Sequence, residues 1–161
     1  MRISLGCDHA GCSLKREIMD LLSRLGHDTL DRGCFGELSV DYPDFAALVC
    51  DDVVSAEASL GILICGSGIG MSIAANKRRG VRAALCHDTY SAKMSRQHND
   101  ANILCLGQRI VGVGLALEIV TAWLQEEFVG GKHTLRLQKI AEHETANKTC
   151  RGADDNEFKV N

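Results

Sequence analysis

Residues 60–77 read Leu-Gly-Ile-Leu-Ile-Cys-Gly-Ser-Gly-Ile-Gly-Met-Ser-Ile-Ala-Ala-Asn-Lys, an apolar run that stops at Cys65 and passes through three alternate glycines into a helical segment. An unbroken apolar run of this length predicts a strand buried on both faces, the habit of parallel sheets. Working outward, similar runs predict strands over Arg2–Cys7, His27–Asp31, Val81–Cys86 and Asn102–Leu106 beside Leu60–Cys65. Between the first two, Leu14, Ile18, Leu21, Leu22 and Leu25 recur at helical spacing, and Gly26 supplies the stop. Further helices are predicted over Phe45–Val54, Ile69–Lys77, Tyr90–Gln97 and Thr134–Glu144, with a long one marked by Leu115, Ile119, Val120, Trp123 and Leu124. Strands alternating with helices predict an α/β fold: a three-layer α/β/α sandwich around a five-stranded parallel, Rossmann-like sheet. Such a sheet receives ligands at the carboxyl ends of its strands. One domain is expected over 1–146. Apolar periodicity stops near Asn147, so 147–161 is expected to be a flexible C-terminal extension.

Composition narrows the function. In 161 residues, 45% are hydrophobic but only 4% aromatic, so the core must be built from Leu, Ile, Val and Ala. A net charge of −3 argues against nucleic acid or an anionic membrane as the main partner, while a small anion needs only a local basic cluster. The longest uncharged stretch, Ala58–Asn76, is broken by glycines and serines and does not read as a membrane span. Eight cysteines are irregularly spaced with no C-x-x-C pair, and Arg2 opens an apolar run that meets Asp8 and His9 too soon for a signal peptide. A reducing, cytoplasmic location is expected.

Two of the predicted strands end in loops rich in chemistry, Gly6-Cys7-Asp8-His9-Ala10-Gly11 and Cys65-Gly66-Ser67-Gly68-Ile69-Gly70. Glycines at 66, 68 and 70 let backbone N–H groups point inward as an anion or oxyanion nest. A dinucleotide fingerprint needs glycine where Met71 stands, although Asp88 lies at a suitable distance for it. A cysteine phosphatase loop needs arginine at that same place. The third reading is an oxyanion hole for an enolate beside Cys65. A cysteine that ends an apolar strand is ordinarily a small buried hydrophobe, the reading taken for Cys7, Cys86 and Cys105. Cys65 differs in opening a helix-start glycine loop, where thiolate is favoured. Position alone leaves both of its readings open. From spacing alone, His98 and Asn99 read as helix C-caps, and His9 beside Asp8 as a strand-end turn. Lys132 and Arg136, at i and i+4, share a helical face that suits a phosphate dianion or simply solvent. Cys7, His9 and Cys12 are divided between strand and helix, so no metal site is expected.

Five segments in this order resemble one family: Gly-Cys-Asp-His-Ala-Gly (6–11), Asp-Tyr-Pro-Asp (41–44), the Cys65–Lys77 stretch, Ser-Arg-Gln-His-Asn-Asp-Ala-Asn (95–102), and Gly-Gly-Lys-His followed by Arg136. The chain is similar to the B-type ribose-5-phosphate isomerases, within the family that also holds galactose- and allose-6-phosphate isomerases. The resemblance implies an aldose–ketose isomerase of the pentose phosphate pathway that interconverts ribose 5-phosphate and ribulose 5-phosphate through an enediolate. Cys65 matches the family's base. Some members use a glutamate at the position of Met71, so this chain falls in the cysteine type. Ser67 matches a hydroxyl beside the base, and His98 matches the residue that opens the furanose ring, with Asp41 orienting it. Asp8, Tyr42 and Asn99 match sugar contacts, and the loop of Gly66, Gly68, Ile69 and Gly70 offers its amides to the enediolate. His9, Arg109 and Arg136 match phosphate contacts. Lys132 stands where several relatives have arginine, which keeps the charge and loses the planar fork. No cofactor or metal is implied, and the site is expected between subunits of a homodimer or tetramer. The alternatives are an allose- or galactose-6-phosphate isomerase, a dinucleotide-binding domain and a thiol-dependent phosphatase.

Overall fold

The structure, a computed structural model, describes residues 1–36 and 38–150, the last six of these by backbone alone. The chain divides into two units, Met1–Val129 and Gly130–Asn161. In the first, strands β1 (Arg2–Cys7), β2 (Asp28–Asp31), β3 (Leu60–Cys65), β4 (Ala83–Leu85) and β5 (Ile103–Gly107) alternate with helices α1 (Cys12–Arg24), α2 (Tyr42–Val54), α3 (Ile69–Ala75), α4 (Thr89–Asn99) and α5 (Val113–Leu124). The second unit contributes α6 (Lys132–Cys150), preceded by Gly130 and Gly131, both at positive φ. The helix passes Asn147, and the remainder of the expected extension, 151–161, lies outside the described residues.

All five strands pair in parallel, in the order β2-β1-β3-β5-β4. Side chains alternate across the sheet with period two. Leu60, Ile62 and Ile64 of β3, with Leu104 and Leu106 of β5, pack in one core with Leu14, Ile18 and Leu22 of α1 and Ile119, Val120 and Trp123 of α5. Leu63, Cys65, Ile103 and Cys105 face the other way, into a second core with Val49 and Cys50 of α2 and Met71 and Ala75 of α3. Helices therefore cover both faces, and the expected three-layer arrangement is present.

Several boundaries differ from the sequence expectation, each for a physical reason. Strand β4 shortens from Val81–Cys86 to Ala83–Leu85 because it is an edge strand with a partner on one side only. Helix α2 begins at Tyr42 rather than Phe45, since Pro43 suits the first turn, where its missing N–H has no partner to lose. Helix α4 runs to Asn99 and ends on Asp100 at φ 45°, so the cap role read for His98 and Asn99 falls to Asp100.

Two strand glycines set how closely α2 approaches the sheet. Added Cβ atoms at Gly6 and Gly61 would meet Val49 Cγ2 at 2.8 Å and Cγ1 at 2.7 Å. Nearby, the buried Asp52 carboxylate accepts from Ser4 Oγ at 2.6 Å and from the Arg32 fork at 2.8 and 2.6 Å, which satisfies the one charge that α2 turns toward β1. Burial pushes that carboxyl up, but the bonds from Arg32 and Ser4 outweigh it and hold the group below the usual carboxylate range. Gly61→Ala should destabilise the fold by about 1–3 kcal/mol through overpacking against stiff Val49. Val49→Ala in the same chain should recover part of that loss in a urea titration. Fully additive losses would place the clash elsewhere.

Candidate active site

Strand order places the site. From β1 the chain moves to β2 on one side, then crosses to β3 on the other, so a crevice opens between the carboxyl ends of β1 and β3. A cleft of about 440 Å³ lies there, lined by Asp8 and His9 after β1, Cys65, Gly66, Ser67 and Gly70 around the β3–α3 loop, Tyr42 at the start of α2, and Arg109 after β5.

Each side chain is held by local structure. Asp8 is buried, and its Oδ1 accepts the Ala10 N–H at 2.9 Å, closing a tight turn. His9 Nδ1 accepts the Val40 N–H at 3.3 Å, which leaves the proton of a neutral imidazole on Nε2. Cys65 ends β3, and its Sγ accepts the Gly68 N–H at 3.0 Å. Gly68 can aim that N–H inward because it sits at φ 78°, a left-handed conformation open to glycine. Ser67 Oγ accepts the Ile69 N–H at 3.3 Å, so its own proton is left to donate. The Tyr42 ring rests on Gly70, where a Cβ would come within 2.7 Å of it, and the Arg109 side chain lies over Gly66.

The structure does not bring every expected residue to this cleft. Strands β4 and β5 are parallel, so α4, which joins the end of β4 to the start of β5, carries His98 and Asn99 to the sheet edge opposite Cys65. Arg82, just before β4, anchors that end: Nε donates to the Asn99 and Asp100 carbonyls at 3.0 and 2.9 Å, and Nη2 to the Asp100 carboxylate at 2.8 Å. Asp41 is the exposed N-cap residue of α2, adjacent to Tyr42. Ile69 is 52% exposed as the first residue of α3. Lys132 and Arg136 are exposed on the first turns of α6, in the second unit. Asp88 caps α4, accepting the Ser91 N–H at 2.7 Å, and follows β4, which β5 separates from β3, so the acidic residue read as a dinucleotide partner does not follow a strand next to the glycine loop's own. Among the described residues, no group of three or more His, Cys, Asp or Glu side chains is arranged to hold a metal ion. No helix there is long and apolar enough to cross a membrane.

Two contributors escape a reading by motif. A Cβ on Gly107 would lie 2.6 Å from the Ser67 carbonyl, so glycine is required for the β3 loop to settle on the end of β5. Gln108 donates its backbone N–H to the Cys65 carbonyl at 2.9 Å, while its side-chain Oε1 accepts the Leu14 N–H at 2.8 Å, tying α1 to the loop. Their only sequence signal is position, just past a strand end.

A family profile described as Ribose/Galactose Isomerase matches residues 3–140. The chain belongs to the ribose/galactose isomerase family. Membership makes it an aldose–ketose isomerase. Among its relatives in the family, ribose-5-phosphate isomerase B of Escherichia coli (strain K12) is 48% identical over 139 residues, covering 86% of this chain and 93% of that one. A D-erythrulose-4-phosphate isomerase of Pectobacterium atrosepticum is 42% identical over 150 residues, covering 92% and 98%. The solved structure of Clostridium thermocellum ribose-5-phosphate isomerase B superposes with a TM-score of 0.90 at 54% identity, covering 91% of this chain and 99% of that one.

The thiols of this isomerase are sharply divided. Burial pushes Cys7 up to about 12 and Cys50 to about 11, and raises Cys86 and Cys105 as well. These four therefore stay protonated near neutral pH. Iodoacetamide at neutral pH should inactivate the protein in step with modification of Cys65 and leave those four unlabelled. Peptide mapping of inactivated protein decides it: an unmodified Cys65 would remove the thiol from the chemistry.

Proposed function

We propose that the chain interconverts ribose 5-phosphate and ribulose 5-phosphate, with Cys65 as the base and with active sites shared between two copies. The observation that carries this reading is the Cys65 sulfur at the mouth of a parallel sheet, receiving the Gly68 N–H within a cleft that also holds the Ser67 hydroxyl and the Arg109 guanidinium. The 48% identity to ribose-5-phosphate isomerase B across most of both chains supports the substrate.

The chemistry follows from the residues. The sugar phosphate arrives mostly as a furanose, and His98 of a second copy moves a proton between the anomeric hydroxyl and the ring oxygen to open it. Asp41, one residue before Tyr42, orients that imidazole. With the aldehyde open, the Cys65 thiolate removes the C2 proton and the electrons pass through the C1–C2 bond onto O1. The loop of Gly66, Gly68, Ile69 and Gly70 frames this developing charge: the Gly68 and Ile69 N–H groups hold the Cys65 sulfur and the Ser67 hydroxyl, which leaves the Gly66 and Gly70 amides for the oxygen. Ser67 shuttles the hydroxyl proton from O2 to O1, and the Cys65 thiol returns its proton to C1 to give the ketose. Atoms and charge balance without cofactor or metal. Asp8, Tyr42 and Asn99 hold sugar hydroxyls. His9, Arg109, Lys132 and Arg136 hold the phosphate, whose binding energy positions the reacting carbons.

The opposed placement of Cys65 and His98 in one chain supports a shared site, because one copy alone cannot bring both to the same sugar. A homodimer or a pair of dimers meets that need. The seven cysteines whose side chains are described are unpaired, which fits a reducing, cytoplasmic setting. The Pectobacterium relative acts, by its name, on a four-carbon phosphate, so substrate length is the property to measure.

Initial rates on ribose, allose and galactose phosphates and on erythrulose 4-phosphate should give the largest kcat/KM with ribose 5-phosphate; a larger value for any other sugar would reassign the substrate. Cys65→Ala and His98→Asn should each be inactive alone, since losing a general acid or base costs about 10²–10⁴-fold. Mixed and reassociated, they should recover up to about one quarter of wild-type activity, because half of the dimers then carry one intact site of two. Heterodimers that form and stay inactive would overturn the shared site.

A further inference from the structure

Beneath the cleft lies a second arrangement of thiols that the isomerase chemistry leaves unused. Cys7 ends β1 and Cys12 opens α1, and their sulfurs sit 3.6 Å apart. Cys7 is fully buried, whereas Cys12 is half-buried and lines a separate cleft of about 580 Å³ together with Lys15, Phe35 and Gln108. The four residues between the pair are Asp8, His9, Ala10 and Gly11, and the first three of these line the catalytic cleft.

We propose that Cys7 and Cys12 are a peroxide-responsive dithiol, a modification site whose oxidation reshapes the Asp8–Gly11 turn. Cys12, reachable from its cleft, attacks a peroxide oxygen. The O–O bond breaks, an S–O bond forms, and the departing hydroxide takes the thiol proton as water. Cys7 then attacks the Cys12 sulfur, the S–O bond breaks, and hydroxide leaves with the Cys7 proton as a second water. Two thiols lose two electrons and the peroxide gains them.

The bond draws the sulfurs from 3.6 Å to about 2.0 Å, so the first turn of α1 must close on the end of β1. Gly11 leaves no slack for that: an added Cβ would already lie 2.6 Å from the Ile64 carbonyl and 2.9 Å from Cys7 Cβ. The strain therefore passes to Asp8, His9 and Ala10. Burial pushes Cys7 up to about 12 against the opposing Lys15 cation, and burial raises Cys12 also, so the pair rests as thiols at neutral pH and reacts faster as pH rises.

Trypsin places both cysteines in one peptide, residues 3–15, and Cys34 in another, residues 33–77. After hydrogen peroxide, the 3–15 peptide should appear lighter by two hydrogens and closed to alkylation. Its appearance should track a fall of roughly fivefold or more in kcat/KM, as expected when binding groups shift by a fraction of an ångström. Dithiothreitol should reverse both. Cys12→Ser should keep basal activity, form no closed peptide, and lose the reversible part of the response while irreversible loss through Cys65 persists. The mass readout stands whatever the substrate proves to be. A 3–15 peptide joined to 33–77, a 3–15 peptide that stays open, or closure without change in kcat/KM would each overturn the proposal.

Discussion

The Cys65 carbonyl accepts the Gln108 N–H at 2.9 Å and the Gly66 carbonyl accepts the Arg109 N–H at 3.0 Å, so the pairing of β3 with β5 continues beyond the strands themselves. Those two bonds require the chains to run side by side through the loops, and Gly107 makes that possible by presenting no side chain to the Ser67 backbone. The shape of the cleft at this edge hangs from the arrangement. It orients the Gly68 N–H toward the Cys65 sulfur, lays Arg109 across Gly66, and presents the Ser67 hydroxyl to the cleft. A loop rich in glycine would otherwise pay heavily in conformational entropy to hold one geometry. Here the sheet ladder supplies the restraint.

Strand polarity is the second constraint. In a parallel sheet every strand end lies on one edge and every helix returns the chain to the other. Loops after β1, β3 and β5 therefore converge, while the C-terminal turn of α4 goes to the opposite edge and is fixed there by Arg82. On the proposed assignment, a base after β3 and an imidazole at the end of α4 lie at opposite edges of one sheet, and a second copy of the chain is what would bring them to one sugar.

Much of this was legible in the sequence, and the parts that were share one property: they depend on neighbours in the chain. The apolar runs of β1 and β3 and the periodicity of α1 are local patterns, and the structure places those elements within a residue or two of expectation. Cys65 and its glycines announced themselves by lying at a strand end. The features that were not legible are non-local. Gly6 and Gly61 matter because Val49, far away in the chain, needs their vacant space. Asp52 is tolerable in a buried position because Ser4 and Arg32 converge on it. The start of α2 was missed because Asp-Tyr-Pro-Asp has the composition of a loop, although proline is at home in a first helical turn. Gln108 bonds to Leu14, 94 residues away, and no spacing rule could have found it.

Seven free cysteines with described side chains pose a problem of selectivity, and the fold resolves it by depth and by donors. Cys105 is wholly enclosed among Cys50, Cys65 and Cys86, and both desolvation and those neighbours disfavour its thiolate. Cys50 faces the same core and is raised by burial. Cys65 shares that core, yet its sulfur reaches the cleft and receives a backbone N–H that the others lack among the bonds of the described residues. Cys105 lies in the interior of β5, whereas Cys65 is the last residue of β3, and that position is what opens its sulfur to the cleft. A parallel sheet makes that difference wherever a cysteine closes a strand and the next residues are free to turn their amides back toward it. Cys7 closes β1 in the same way. The turn after it is bound up with Asp8 and the Ile64 carbonyl, burial dominates over the Cys34 backbone bond to its sulfur, and Cys12 Sγ lies 3.6 Å away.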